Sequence, residues 1–415
     1  MKKQLKLLVL FSALFLIFSV WGFKGKDAQA KTYTVTTNSK PINKTYTTYS
    51  TYNKNTKNYY VFRALMETLE KSGGGKIIVK KGTYTLTNTI YVPSNVTIEL
   101  SNGVVIKKAK KAGASSIGLS SSLFQLIAPS KSNKDGAVGS YSGTKNVKIY
   151  SKGRATIDLQ KVYNSIAIIM GHNQNVTIQN IDFKNMNSGH FIEMDASKKV
   201  VVNNSTFKNS TASANYVKEA INLDTPDKFT GGFSSNWSKF DRTANMDVTI
   251  KNSVFDGLDR AIGTHKYSGK GKINGKVYTS KPHKDIKIIN NKISNTRNDA
   301  IRVNNWYKPV IKGNHFNKIG QGNSGLRGVL VSGATYPVIE NNSFENVGRA
   351  VQFLAWKNPG KLTDTKYDII YNKLTKANLA SLEKNTGKNL SEYVIRISKE
   401  YNVFTNQQVV NIIEK

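Results

Sequence analysis

From Lys76 onward the apolar residues alternate with polar ones over very short stretches: Ile77-Ile78-Val79, Tyr84 and Leu86, Ile90 and Val92, then Val96, Ile98 and Leu100. Runs of this length and period, rich in β-branched residues and punctuated by Gly, Pro-Ser-Asn and Ser-Asn-Gly, predict short strands joined by turns, with no room for crossover helices. Before them, Tyr60, Phe62, Leu65, Met66 and Leu69 fall at helical spacing. One amphipathic helix is therefore expected over Asn58 to Ser72, ended by Gly73-Gly74-Gly75. Beyond Asn372 the spacing of Leu379, Leu382, Leu390, Tyr393, Val394, Ile397 and Tyr401 again reads as helical and predicts a C-terminal cap over 372–415.

The strand pattern repeats. An apolar residue is followed five positions later by an aromatic or aliphatic one at Ile178/Phe183, Val202/Phe207, Ile250/Phe255, Ile288/Ile293, Ile311/Phe316 and Ile339/Phe344. Two residues after the first member come Asn180, Asn204, Asn252, Asn290, Gly313 and Asn341. Two after the second come Asn185, Asn209, Gly257, Asn295, Lys318 and Asn346. Asn and Gly tolerate left-handed backbone, so such columns mark stacked turns. The closest repeats lie roughly 23 to 28 residues apart, within the range of solenoid coils. A single coil cannot bury its own apolar face, so successive coils must stack and share a core. The expected fold is all-β: a right-handed parallel β-helix solenoid over 31–371, with a short N-terminal helix and a helical C-terminal cap.

Residues 1–30 stand outside this pattern. Lys2, Lys3 and Lys6 precede an apolar run from Leu7 to Phe23, and Ala28-Gln29-Ala30 offers a small-x-small cleavage site, so a signal peptide and a secreted chain are expected. There is no cysteine, hence neither a lipid-modified N-terminal cysteine nor a disulfide framework, and the fold must rest on its core. The chain holds 61 Lys and Arg against 26 Asp and Glu. Losing residues 1–30 removes five lysines and one aspartate, which lowers the formal charge from +35 to +31. A field of that sign draws anionic polymers. Export and the lack of a nucleic-acid motif favour an acidic polysaccharide or a cell-wall polymer as partner, with no nucleic acid, no membrane once the leader is gone, and a monomeric chain.

Each coil also carries a second strand with apolar-in, polar-out character: Ile192, Ile221, Ile262, Ile301, Val329 and Val351 are expected to stack inside. The outward residues then form one column of Asp195, Asp224, His265, Asn304 and Ser332, and a second of Glu193, Asn222, Gly263, Arg302 and Leu330, both expected to face solvent. Strands spaced by about 4.8 Å and alternate residues by about 6.6 Å put Glu193 and Asp224 on the order of 8 Å apart at the backbone, a separation suited to an inverting glycosidase. Asp195 and Asp224 are closer, so one of the two should hold its proton. Insertions at Thr225 to Met246 and Tyr267 to His283 follow the second strands of neighbouring coils and are expected to rise as cleft walls. Phe233, Trp237, Lys266, Tyr267 and Trp306 would be sugar contacts there. His190 and Asp259 are weaker candidates at strand edges, and Glu219 is held in reserve.

From the Gly-rich loop to about Asn372 the chain resembles the pectin-lyase-like superfamily, which implies the parallel β-helix and a substrate in the polysaccharide class. The outward column is similar in order to that of polygalacturonase-type hydrolases, whose coils carry Asn-x-Asp, Asp-Asp, Gly-His-Gly and Arg-Ile-Lys. That similarity implies Asp195 and Asp224 as catalytic acids, His265 as the histidine and Arg302 as the sugar-gripping base. Here Leu223-Asp224 replaces the acid pair, His265 lacks flanking glycines, and Val303-Asn304 follows Arg302. The leading expectation is a secreted glycoside hydrolase acting on an acidic glycan without a cofactor. Its catalytic residues would be Asp224, Asp195, Glu193 and His265, and its substrate contacts Arg302, Lys266, Asn304, Asn222, Trp237, Tyr267 and Trp306. A lyase on the same scaffold would add Ca²⁺, and a non-catalytic wall-binding β-helix would need only the charge.

Overall fold

The computed structural model describes residues 31–213, 216–228, 231–265, 271–273, 276–278, 281–355, 371–401 and 406–415. The leader expected over 1–30 lies outside them. Among the described residues 28 strands join in one sheet whose strands pair in parallel with their equivalents a coil away. The registers follow the repeat: Val176, Val200, Val248 and Ile286 stack in one inward column, and Ile178, Val202, Ile250, Ile288, Ile311 and Ile339 in another. The second anchors stack as rings, with Phe183 over Phe207 and Phe207 over Phe255 at 4.8 Å, and Phe316 over Phe344 at 4.7 Å. These side chains are fully buried or nearly so, and full burial of each contributes on the order of 1.5–3 kcal/mol.

All twelve positions of the two turn columns adopt positive φ, including the exceptions Gly257, Gly313 and Lys318. The asparagine amides link coils, as Asn204 Nδ2 does to Asn180 Oδ1 at 2.8 Å. A further ladder runs inside, one residue later in the chain. The backbone N–H of Asn291, Asn314 and Asn342 donates to the side-chain oxygen of Asn314, Asn342 and Asn385 respectively, at 2.9–3.0 Å. It satisfies buried turn amides that would otherwise be stranded.

Helix α1 (Lys57–Lys71) closes the N-terminal end and buries Val61, Phe62, Leu65, Met66 and Leu69 in the solenoid core. Gly74, at φ +129°, follows it where a Cβ would meet Asn95 at 2.5 Å. The C-terminal end differs from the helical cap expected over 372–415. Only α2 (Lys376–Leu382) is α-helical there among the described residues. Thr386–Glu392 returns as a strand in parallel register with Ser343–Arg349, and Val394–Ile397 pairs antiparallel with Gln408–Asn411. Asn385 extends the inner ladder and so starts another coil. Ile395 and Ile397 are buried on either side of exposed Arg396, a period of two that the wider spacing had masked.

Candidate functional site

The site is built on five strands: β1 (Ile192–Asp195), β2 (Glu219–Asp224), β3 (Arg260–Gly263), β4 (Ile301–Asn304) and β5 (Arg327–Ser332). Ile192, Ile221, Ile262, Ile301, Val329 and Val351 are mutual partners across them and form the expected internal column. Glu193 therefore sits opposite Asn222, and Asp195 opposite Asp224.

Facing outward does not expose these residues. Asp195 is 0% exposed, Asp224 1%, Asn304 0% and Glu193 6%. The insertion after Asp224 lies back over the upstream coils instead of standing as a wall. Its Phe233 and Trp237 join Ile127, Val138 and Ile169 in a separate apolar cluster, and Trp237 Nε1 donates to Gln125 Oε1 at 3.0 Å. Gly171, the register partner of Asp195, makes room for this roof: a Cβ there would lie 2.6 Å from both rings. Trp237 is thus a roof anchor and not a sugar platform. Trp306 is also a core residue, its indole N–H donating to Thr264 Oγ1 at 2.8 Å. Asn304 is sealed from solvent as well, which removes it as a substrate contact. Lys266 and Tyr267 lie outside the described residues.

What remains open is a cavity of about 290 Å³ between the roof and the strands. Its floor holds His190, Glu193, Lys218, Asn222, Asp224 and His265, and Tyr163, Tyr216 and Phe233 rise around it. Asn222 Nδ2 donates to both oxygens of Glu193, at 3.0 and 3.2 Å, and His190 Nε2 stands 3.4 Å from the same carboxylate. His265 departs from the expected column. The strand ends at Gly263, where a Cβ would meet the Arg302 carbonyl at 2.9 Å, and the chain then folds over the preceding coil. The backbone N–H of His265 donates to Asn222 Oδ1 and Asp224 Oδ1, both at 3.0 Å, while its ring turns away to Glu219, with Nδ1 3.1 Å from Oε2.

Glu219, the reserve candidate, proves central. It is fully buried, its Oε1 lies 2.6 Å from Arg260 Nη1, and its carbonyl accepts from His190 Nδ1 at 2.7 Å. One residue thus fixes both imidazoles. Burial would raise its carboxyl, but the hydrogen bond from His265 and the charges of His265, Arg260 and His190 hold it far below the usual carboxylate range. Arg260 in turn reaches Asp299 at 3.7 Å, and Arg327 pairs with Asp299 at 2.8 Å. Asp259 belongs to a neighbouring set, 2.6 Å from both Lys218 and Arg297, which makes it structural. Arg302 is not among the cavity's lining residues. Burial and the adjacent Arg260 lower its guanidinium to about 10, with Glu219, Asp299 and Asp224 acting against them.

Asp195 lies behind the floor. Burial first, then the charges of Glu193 and Asp224 and a hydrogen bond with Glu193, push its carboxyl well above the ordinary aspartate value. Of the two adjacent aspartates it is therefore the one that keeps a proton. It does not reach the cavity, so the expected role of Asp195 as a group acting on substrate becomes one of setting its neighbours' charge. Tyr163 and Tyr216 had no signal in the repeat, since both lie in irregular loops.

The chain has the right-handed parallel β-helix fold, the fold of the solved structures it superposes on. No family model matches it. It is 29% identical over 284 residues to plasmin and fibronectin-binding protein A of Streptococcus pneumoniae (strain ATCC BAA-255 / R6), an alignment covering 61% of this chain and 36% of that protein. The chain therefore spans little more than a third of that relative's length. The crystal structure of PfbA, described as a surface adhesin of Streptococcus pneumoniae, superposes with a TM-score of 0.54 at 18% identity, covering 86% of this chain and 96% of the other. A family 28 exopolygalacturonase of Yersinia enterocolitica superposes with a TM-score of 0.48 at 13% identity, covering 87% and 71%.

Proposed function

We propose that the chain is an extracellular glycan-active β-helix that hydrolyses an acidic glycan in the cavity above β1 and β2. The observation that carries this reading is the convergence of Glu193, Asp224, His190 and His265 on one small cavity in a protein poor in acids. Buried, hydrogen-bonded charged groups at an open cavity cost stability, and such clusters concentrate at functional sites. Glu193, whose two oxygens both accept from the one Asn222 Nδ2, acts as the carboxylate that activates water. Asp224 supplies the partner carboxyl, and their register keeps them on the order of 8 Å apart at the backbone. Asp195 carries the proton that lets three neighbouring carboxyls coexist. Tyr163 and Tyr216, which line the same cavity, offer ring faces to the sugar. These residues perform hydrolysis without a cofactor.

A second reading, a non-catalytic adhesin, is favoured by the similarity to a protein named for plasmin and fibronectin binding and by the +31 formal charge of the chain without its leader. Incubation with a panel of acidic glycans separates the two. New reducing ends without near-ultraviolet absorbance support hydrolysis, and absorbance from unsaturated products supports elimination. Binding with neither product supports the adhesin and overturns the enzymatic reading.

A further inference from the structure

The cavity above β1 and β2 runs along the solenoid axis, because its sides are equivalent parts of successive coils. Tyr163 and Asn164, Ser188 and Gly189, and Tyr216 and Val217 lead into the consecutive strands Ile166–Gly171, β1 and β2, and together form one bank. Residues 231–234 and His265 form the other. A linear polymer lying between these banks would follow the column of outward residues beneath it. Upstream of Glu193 that column continues through Ile169, Gln125 and Tyr91.

The continuation is blocked. Phe233 and Trp237 lie on Ile169, which is 2% exposed, Tyr91 packs against the same cluster, and Gln125 is held by the Trp237 indole. The block is built from two loops, since the insertion after Asp224 is fastened to the 126–144 loop. Three backbone hydrogen bonds join them: Gly136 N–H to the Asn236 carbonyl at 2.9 Å, Val138 N–H to the Trp237 carbonyl at 3.0 Å, and Lys239 N–H to the Val138 carbonyl at 2.8 Å. The Tyr141 hydroxyl donates to the Ala244 carbonyl at 2.7 Å. His172 clamps both loops, its Nδ1 2.7 Å from the Ser140 carbonyl oxygen and its Nε2 2.7 Å from Ser238 Oγ. A fixed barrier therefore stands one coil upstream of Glu193.

The spacing limits what fits. Adjacent coils are about 4.8 Å apart, roughly the length of one sugar residue. Glu193 and Asp224 belong to adjacent coils, so a bond held between them has only the Ile169 coil on its closed side. The cavity's volume of about 290 Å³ lies at the bottom of the roughly 300–1,000 Å³ range of small-molecule sites. We propose that the barrier makes this an exo-acting site, which takes the end of an acidic glycan and releases one sugar residue per cleavage. The inference rests on the hydrolase reading above and adds to it the part of the substrate that is recognised. Ile166, Ile169 and Phe233 form an apolar wall against which the terminal ring packs. Each turnover adds one water across the terminal glycosidic bond. The bond from the anomeric carbon to the bridging oxygen breaks, the anomeric carbon takes the hydroxyl of a water whose proton passes to Glu193, and the departing oxygen takes a proton from Asp224.

The test follows reducing ends, viscosity and product size together while the purified chain is incubated with polygalacturonate, alginate, hyaluronan and chondroitin sulfate. Rising reducing ends, viscosity near its starting value and a monosaccharide as the first and dominant product support the inference. An early fall in viscosity with a ladder of internal fragments overturns it and leaves the hydrolase reading standing. No new reducing ends from any of the four overturns that reading, and the inference with it. The wild-type profile decides by itself, and a Phe233→Ala/Trp237→Ala variant then ties the outcome to the barrier. Both rings lie outside the main solenoid core, and a cooperative urea transition checks that the variant folds. A product shift from monosaccharide to internal fragments supports the role of the barrier. A folded, cleaving variant that still releases only monosaccharide overturns it.

Discussion

Replacing Asp195 with asparagine should change how stability depends on pH, and the size of the change follows from where the residue sits. Its carboxyl is fully buried beside Glu193 and Asp224, and its pKa is raised above the value of about 4 that the unfolded chain would show. The folded protein therefore keeps a proton that the unfolded chain gives up. Stability from this group is complete below pH of about 4 and falls as pH rises toward the folded pKa, by about 1.4 kcal/mol for each pH unit in that window. Asparagine cannot ionise, so the variant lacks this slope. At acid pH the variant starts from an offset, since its amide group enters a buried pocket that holds a protonated carboxyl in the wild type, and an unmatched buried amide costs about 1–3 kcal/mol. That offset is the same at every pH. The informative quantity is the difference in unfolding free energy between variant and wild type, from urea titrations at half-unit steps between pH 4 and 7. It should move in favour of the variant by about 1.4 kcal/mol per unit from the acid side. A flat difference, or one that moves toward the wild type, refutes the protonated Asp195.

Three other outcomes follow from the same geometry. Asp224→Asn keeps an oxygen to accept from the His265 backbone N–H and should lower turnover of any cleaved glycan by at least about a hundredfold; near-normal turnover removes Asp224 from the reaction. Glu219→Gln leaves Arg260 and His265 without their carboxylate, and breaking a buried pair of this kind costs about 3–5 kcal/mol, read as a large fall in urea midpoint, so an unchanged midpoint contradicts the network. His283 is buried, accepts from the Asn245 backbone N–H at 3.0 Å, and is held by burial at about 3 against about 6.5 unfolded, so the stability it contributes is complete above pH 6.5 and is lost as pH falls toward 3. His283→Asn should flatten that acid loss by about 1.4 kcal/mol per unit, and an unaltered acid limb in the urea series argues against a neutral His283.

The stacking of the solenoid was legible because the residues that define it have few alternatives. Ile192, Ile221, Ile262 and Ile301 must face inward for any coil to be covered, and a left-handed turn leaves Asn180 or Asn204 few replacements. The sequence also brought Glu193, Asn222 and Asp224 to one face. It could not say whether that face was wet. Alternation distinguishes the two sides of a strand, whereas the burial of Asp195 depends on where a distant loop comes to rest. Phe233 and Trp237 read equally well as exposed platforms or as anchors against Ile169. His265 was displaced because its strand stops at Gly263, and nothing local announces that stop. Leu390 and Ile397 fit a helical spacing until Asn385 joins its ladder and commits the chain to another coil. Glu219 was underrated because its value lies in two contacts, Arg260 and His265, each about forty residues downstream.

The roof over β1 and the turns that carry the asparagine columns occupy different corners of each coil. At the asparagine corners, side chains bond from one coil to the next, so adding or deleting a residue would shift the register of every strand beyond it. At the other corner, the 225–245 insertion is fastened by Trp237 to Gln125 and by His172 Nε2, 2.7 Å from Ser238 Oγ, to coils already complete without it. Length at that corner can change while the inward columns stay aligned. The molecule thereby separates what must be inherited from what can vary. A lineage carrying this scaffold can resize the space above Glu193 and Asp224 through one loop, and relatives should diverge in length there long before they diverge in the spacing of their asparagines.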